Sequence, residues 1–156
     1  MNTALTIEPY QQKWAPDFKR LNTAWLEEFF EVEPVDHQML SNPEEYYINK
    51  GGFIYFALVQ DTVVGCYALI KSGKDCFELS KMAVDKAYQG HQIGHAMVQH
   101  ALATAAGLGA LTLQLYSHKK LGAAIHLYKK YGFEEIPVGN SIYKRSDIRM
   151  EKKLTT

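Results

Sequence analysis

Cysteine is scarce in this 156-residue chain. Its two cysteines, Cys66 and Cys76, form no Cys-x-x-Cys pair, so a disulfide framework is not indicated, and the expected compartment is the reducing cytoplasm. Each lies in a strand-like run, where a small buried hydrophobe is the ordinary role, and neither has the neighbours that activate a catalytic thiol. Net charge is also missing: 17 Lys and Arg balance 17 Asp and Glu. That balance argues against broad electrostatic binding to nucleic acid or to an anionic membrane. No apolar run is long enough to span a bilayer, and the first residues do not join a basic segment to an apolar one, so neither a membrane span nor a signal peptide is expected. There is no internal repeat, low-complexity tract or linker. The length fits one domain over residues 1–156 with a core of its own.

Two nucleotide-binding patterns are absent as well. There is no Gly-Lys-Ser/Thr of a P-loop and no complete Gly-x-Gly-x-x-Gly. The chain does contain Tyr88-Gln89-Gly90-His91-Gln92-Ile93-Gly94-His95-Ala96. This stretch follows an extended-looking run, Phe77 to Val84, and opens a segment in which Ile93, Ala96, Met97, His100 and Ala101 recur with helical spacing. A strand, a glycine-bearing turn and a helix N-terminus in that order make an anion-binding device. Glycine lets the backbone approach closely, the first N–H groups of the helix lack partners, and the helix dipole favours negative charge. The expected guest is a phosphorylated cofactor carrying a pyrophosphate. His91 and His95 are four apart, like paired zinc ligands, but His91 falls in the turn and no zinc-protease glutamate lies between them, so no metal site is expected.

Hydrophobic spacing predicts the remaining elements. A short strand is expected around Leu5–Ile7. Trp14, Phe18, Leu21, Trp25 and Phe29 fall at three- and four-residue steps, giving a helix over 11–30 that Pro34 ends. A second short helix begins near Asn42-Pro43. Strands follow at 53–59 and 63–70, joined by a tight turn at Asp61-Thr62, with a third at 76–84 after a turn at 72–75. The glycine-turn helix runs to Ala106. A strand over 111–116, a helix over 123–131 stopped by Gly132, and strands over 133–138 and 142–150 complete the chain.

The segment Ala124-Ile125-His126-Leu127-Tyr128-Lys129-Lys130-Tyr131-Gly132-Phe133 supplies a second motif. The order strand, Gln-x-x-x-x-Gly turn, helix, strand, Ala-x-x-x-Tyr helix and Gly-Phe resembles the GNAT superfamily of acetyl-coenzyme A-dependent N-acyltransferases, over about residues 53–153. The resemblance implies an α/β fold with a mixed, mostly antiparallel sheet of six to seven strands flanked by about four helices. It implies acetyl-CoA as acyl donor, with its pyrophosphate on the backbone of Gln89, Gly90, His91, Gln92, Ile93, Gly94 and His95. Met82, Ala83 and Val84 would pair through their backbone with the pantetheine arm, and one N–H there would polarise the thioester carbonyl. The family's first motif, Gln/Arg-x-x-Gly-x-Gly/Ala, falls on Gln89, Gln92 and Gly94. Gln92 thus replaces a glycine, offering a backbone N–H without glycine's freedom at positive φ. The asparagine that many members carry before the second helix is replaced by Ser117-His118.

Direct attack by an amine needs no enzyme nucleophile but does need a neutral amine, and a lysine-like amine has a pKa near ~10.4. Glu78, a carboxylate in mid-strand, is the candidate base acting through water. Strict alternation would place it on one face with Ser80 and Met82. Tyr128, at the family's tyrosine position, is the candidate acid for the departing thiolate. No Lys or Arg occurs between Arg20 and Lys50, an interval holding Glu27, Glu28, Glu31, Glu33, Asp36, Glu44 and Glu45. This acidic run is expected to wall the acceptor site and attract a cationic amine. Tyr46, Tyr47 and Tyr143 are candidates to frame that site. The partner is a small-molecule or peptide amine, and the chain is a monomer or homodimer. A non-catalytic acyl-CoA sensor or scaffold is the alternative reading.

Overall fold

A computed structural model describes residues 4–139 and 145–154. Seven strands form one sheet in the order β1-β2-β3-β4-β5-β7-β6. They are β1 (Leu5–Pro9), β2 (Phe53–Val59), β3 (Thr62–Lys71), β4 (Cys76–Val84), β5 (Thr112–Ser117), β6 (Glu134–Ile136) and β7 (Ile148–Lys153). Every neighbouring pair is antiparallel except β4–β5. That one parallel pair requires a crossover, which the helix between the two strands supplies. The five α-helices among the described residues are α1 (Ala15–Phe29), α2 (Pro34–Ser41), α3 (Pro43–Tyr46), α4 (Ile93–Gly107) and α5 (Gly122–Lys130).

Alternating strand residues feed two cores. Ile54, Phe56 and Leu58 point to one face with Phe18, Leu21 and Leu26 of α1 and Leu40 of α2. Ala57 and Val59 point to the other with Met97, Val98, Ala101 and Ala105 of α4. Covering both faces explains why the central strands are apolar nearly throughout.

Several boundaries depart from the sequence expectation. The predicted helix over 11–30 divides into a 3-10 turn, Gln12–Trp14, and α1. Pro16 has no N–H and is tolerated only in a first turn, so the α-helix starts beside it. Pro34 likewise opens a helix, where it was expected only to end one. Glu33 caps α2, and the Asp36 carboxylate accepts a hydrogen bond from the Glu33 N–H at 2.9 Å, closing a capping box. The β2–β3 turn is Gln60-Asp61, one residue earlier than predicted, with positive φ at both positions (49° and 66°). That backbone fits the right-handed strand twist. The final strand runs to Lys153; residues 140–144, including Tyr143 and the start of the strand predicted at 142, lie outside the described residues. No helix is long and apolar enough to cross a membrane among the described residues.

Candidate active site

β4 and β5 pair only from Cys76–Thr112 to Glu78–Gln114, although β4 continues to Val84 and β5 to Ser117. Beyond Glu78 the two strands part in the middle of the sheet. The β5-facing backbone edge of residues 79–84 is left without a strand partner, and buried backbone groups require one. On its other edge β4 stays with β3, but the register slips. Cys66 faces Ala83 and Ala68 faces Ser80, so Lys81 and Met82 together oppose Tyr67. This is a β-bulge, with Lys81 at φ 54°. A bulge bends and twists its strand, which accounts for the divergence from β5.

The bulge corrects the expected alternation. Met82 packs into the α4-side core, away from Glu78. Lys81 instead shares the α1–α2 side with Glu78, within the electrostatic reach of Asp36 and Arg145. The extra residue shifts the pleat by one position, which a period of two cannot foresee.

At the open end of the parted strands lies the start of α4. Asp85 accepts a hydrogen bond from the Ala87 N–H at 3.0 Å and holds a short 3-10 turn over Lys86–Tyr88. The Gln89 amide donates to the Val84 carbonyl at 3.4 Å. Gly90 has φ 87° and Gln92 φ 66°. Gln92 therefore keeps the left-handed backbone of the glycine it replaces, at a cost of roughly 1–2 kcal/mol for a side-chain-bearing residue. The Ala96 N–H donates to the Gln92 carbonyl at 3.1 Å, closing the first turn. No side chain caps α4 and no acid stands in its first turn. The N–H groups of Ile93, Gly94 and His95 are thus available to an anion. Gly94 serves helix packing, since a Cβ there would lie 3.3 Å from Leu127 Cδ2 of α5. His91 is exposed beside Tyr88, whereas His95 Nδ1 lies 3.0 Å from the Tyr131 hydroxyl. No group of three His, Cys, Asp or Glu side chains is placed to hold a metal among the described residues.

Glu78 is 6% exposed and sits where the strands separate. Tyr47, 2% exposed, has a buried hydroxyl with no hydrogen-bond partner among the described residues. Burial raises its pKa, and the charges of Asp36 and Glu78 raise it further. Lys81 is held below the usual lysine range, mainly by burial, with Arg145 adding to the effect and Asp36 and Glu78 opposing it. Tyr128 is half-buried on α5 at the opposite face of the sheet, its ring 5.8 Å from that of Phe133. Burial pushes its pKa up to about 12, so its hydroxyl stays protonated at neutral pH. Glu78 and Tyr128 therefore flank the parted strands from opposite faces and do not touch.

Part of the acidic run is neutralised, while Glu27, Glu28, Glu31, Glu44 and Glu45 stay exposed. Arg145 bonds Asp36 at 2.5 Å, Glu33 at 3.0 Å and the Glu31 carbonyl at 2.8 Å. Burial pushes the Asp36 pKa up, but hydrogen bonds from Arg145 and the Glu33 N–H outweigh it and the net shift is downward. Lys120 donates to the Phe29 carbonyl and stands 3.8 Å from the centre of the Phe30 ring. Two distant cations thus pin the α1–α2 connection. Tyr46 is an acceptor for the Gln38 amide at 2.7 Å. Sequence reasoning missed Lys81 and the Arg145 clamp; the one local signal was a lysine in mid-strand of β4.

The model of the acetyltransferase (GNAT) family matches residues 17–133. The chain belongs to the GNAT family. As a GNAT enzyme it is an N-acetyltransferase. It is 28% identical to the [ribosomal protein bS18]-alanine N-acetyltransferase of Escherichia coli over 130 residues, covering 83% of this chain and 88% of that one. Its fold matches the crystal structure of a GNAT-family acetyltransferase from Staphylococcus aureus with a TM-score of 0.85 at 22% identity, over 97% of this chain and 100% of the other. An acetyltransferase of Bacillus subtilis in complex with CoA superposes with a TM-score of 0.75 at 22% identity, over 97% of this chain and all of that one. The seven-stranded, mostly antiparallel sheet is the GNAT fold that the sequence motifs anticipated, with five α-helices where about four were expected.

Proposed function

We propose that this GNAT domain, taken as residues 1–156, binds acetyl-CoA in the opening between β4 and β5 and transfers the acetyl group to a primary amine by direct attack. The observation that carries the reading is the strand parting beyond Glu78, with the uncapped N-terminus of α4 at its open end. The residues suit such a guest. The unpaired edge of Met82, Ala83 and Val84 offers backbone donors and acceptors to an extended amide-bearing arm. The turn from Gln89 to His95 offers N–H groups to a pyrophosphate. That the Bacillus subtilis neighbour was solved with CoA supports the same assignment.

Glu78 accepts the proton of the attacking ammonium, through water, from the α1–α2 side. Its burial beside the parted strands keeps its carboxylate close to the reacting centre while bulk solvent is excluded. Tyr128 protonates the departing thiolate from the α5 side. Its pKa of about 12 leaves that proton in place over the whole working range. A backbone N–H near the bulge stabilises the oxyanion that develops on the thioester carbonyl.

The deciding experiment pairs thermal melting with and without saturating acetyl-CoA with thiol release over an amine panel. A ligand at about a hundred times its Kd adds ~2.7 kcal/mol, which is a clear upward shift for a domain of this size. A shift with amine-dependent thiol release supports the reading. A folded protein showing no shift would overturn it.

A further inference from the structure

Tyr128 is carried by a lightly anchored helix. α5 has nine residues, opens on Gly122, has no side-chain cap, and none of its residues is fully buried. A helix that short does not hold itself in water, so its place depends on tertiary contacts. Two of these go to the first turn of α4. Leu127 packs so closely over Gly94 that a Cβ there would lie 3.3 Å from Leu127 Cδ2. Four residues on, just past the end of α5, the Tyr131 hydroxyl lies 3.0 Å from His95 Nδ1, and the two rings meet edge to face with centroids 5.6 Å apart. Residues four apart share one side of a helix, so Leu127 and Tyr131 turn the same side of α5 toward α4. Tyr128 lies between them in the chain. Its carbonyl accepts hydrogen bonds from the N–H groups of Tyr131 and Phe133, both at 3.1 Å, so Tyr128 and Tyr131 belong to one closed turn.

Among the described residues, the His95–Tyr131 bond is the one hydrogen bond between α4 and the end of α5. A van der Waals contact such as Leu127 on Gly94 sets a distance, whereas a hydrogen bond also sets a direction. We propose that Tyr131 is a positioning residue for acetyl transfer, holding the last turn of α5 through His95 so that the Tyr128 hydroxyl stays aligned with the departing thiolate. The proposal rests on the reading of Tyr128 as the acid. Tyr131 acts through Tyr128 and need not touch either substrate. Proton transfer demands hydrogen-bond reach, and a small misplacement of the donor lowers the rate. The donor-binding turn does not depend on the bond. Its backbone is closed by the Ala96 N–H on the Gln92 carbonyl at 3.1 Å and follows the turn that Asp85 caps. Loss of the bond should therefore fall on kcat and not on acetyl-CoA binding.

The test measures kcat and the KM for acetyl-CoA by thiol release in Tyr131→Phe, Tyr128→Phe and the double variant. Tyr131→Phe keeps the ring and removes the hydroxyl. It should lower kcat by about 3- to 10-fold, the factor for one neutral hydrogen bond, with the KM for acetyl-CoA and the acetyl-CoA melting shift as in the wild type. In the Tyr128→Phe background the same change should lower kcat by less than about 1.5-fold, because the group it aligns is gone. His95→Ala should lower kcat by the same factor as Tyr131→Phe, and the two together should do no more than either alone. An equal factor for Tyr131→Phe in both backgrounds would overturn the proposal, since a general structural role acts with or without the Tyr128 hydroxyl. An unchanged kcat in Tyr131→Phe, or a raised KM with kcat retained, would overturn it too. If Tyr128→Phe is itself slow, those outcomes leave the transferase reading standing. If Tyr128→Phe turns over at the wild-type rate, the acid assignment falls and this proposal falls with it.

Discussion

The two sides of the cleft are made of different material. At the α4 end the candidate groups are backbone: the edge of residues 79–84 that β5 leaves and the uncapped N–H groups of Ile93, Gly94 and His95. On the α1–α2 side the candidates are side chains, Glu78 and Tyr47, both buried, beside the Arg145–Asp36 clamp. A backbone arrangement tolerates substitution as long as the dihedral angles survive, and Gln92 takes a left-handed φ of 66° that glycine adopts freely. A side-chain arrangement does not, because its groups depend on residues distant in sequence, as Asp36 does on Arg145.

The largest expected effect tests whether chemistry and donor binding are separable. Tyr128→Phe removes the proton donor and nothing from the backbone site. It should lower kcat by about 10²-fold or more, within the usual range for a lost general acid or base. Thiol release checks the loss, and an undiminished acetyl-CoA melting shift checks the separation. Equal loss of both would erase the distinction between the two sides.

A middle-sized effect is expected at the clamp. Arg145→Ala leaves Asp36, whose side chain is 8% exposed, without its partner. Denaturant unfolding should show a loss of about 1–2 kcal/mol, below the value for a fully buried pair because Glu33 and Arg145 are partly in water. The pH dependence sharpens the point. The folded pKa of Asp36 lies below its unfolded value of about 3.9, so its stabilisation is present above that pH and is lost as pH falls through the folded pKa. In Arg145→Ala the slope of stability over this acid window should flatten.

The smallest effect probes the backbone side. Gln92→Gly relieves the left-handed strain but adds freedom to the unfolded chain. A net gain of about 0.5–1 kcal/mol in melting experiments is expected, with acetyl-CoA binding retained. A loss of stability would mean that the glutamine side chain supports the turn.

The acetyltransferase fold was legible because its signals are local. Alternating apolar residues at 53–70, the glycine turn at 88–96 and the Ala-x-x-x-Tyr helix each report on their own segment, and their order implied the topology. Pro16 and Pro34 were harder to place because proline can end a helix or open one, and only the capping box at Glu33 and Asp36 decides between the two. The candidate site was legible to the extent that it is backbone: the run from Gln89 to His95 was named from its glycines. The α1–α2 side was not. The acidic composition of residues 27–45 suggested an open negative wall, and nothing in that stretch announces an arginine 109 positions beyond Asp36.

By itself, then, the sequence determined which segments form strands and helices, the family to which their order belongs, and the glycine turn that opens α4. Periodicity and turn chemistry act over a few residues and need no partner. The tertiary structure alone decided where β4 leaves β5, that Lys81 joins Glu78 on one face, and that Arg145 pairs with Glu33 and Asp36 at the start of α2. A one-residue bulge inverts the pleat, and charge pairing depends on distance in space, which sequence separation does not encode.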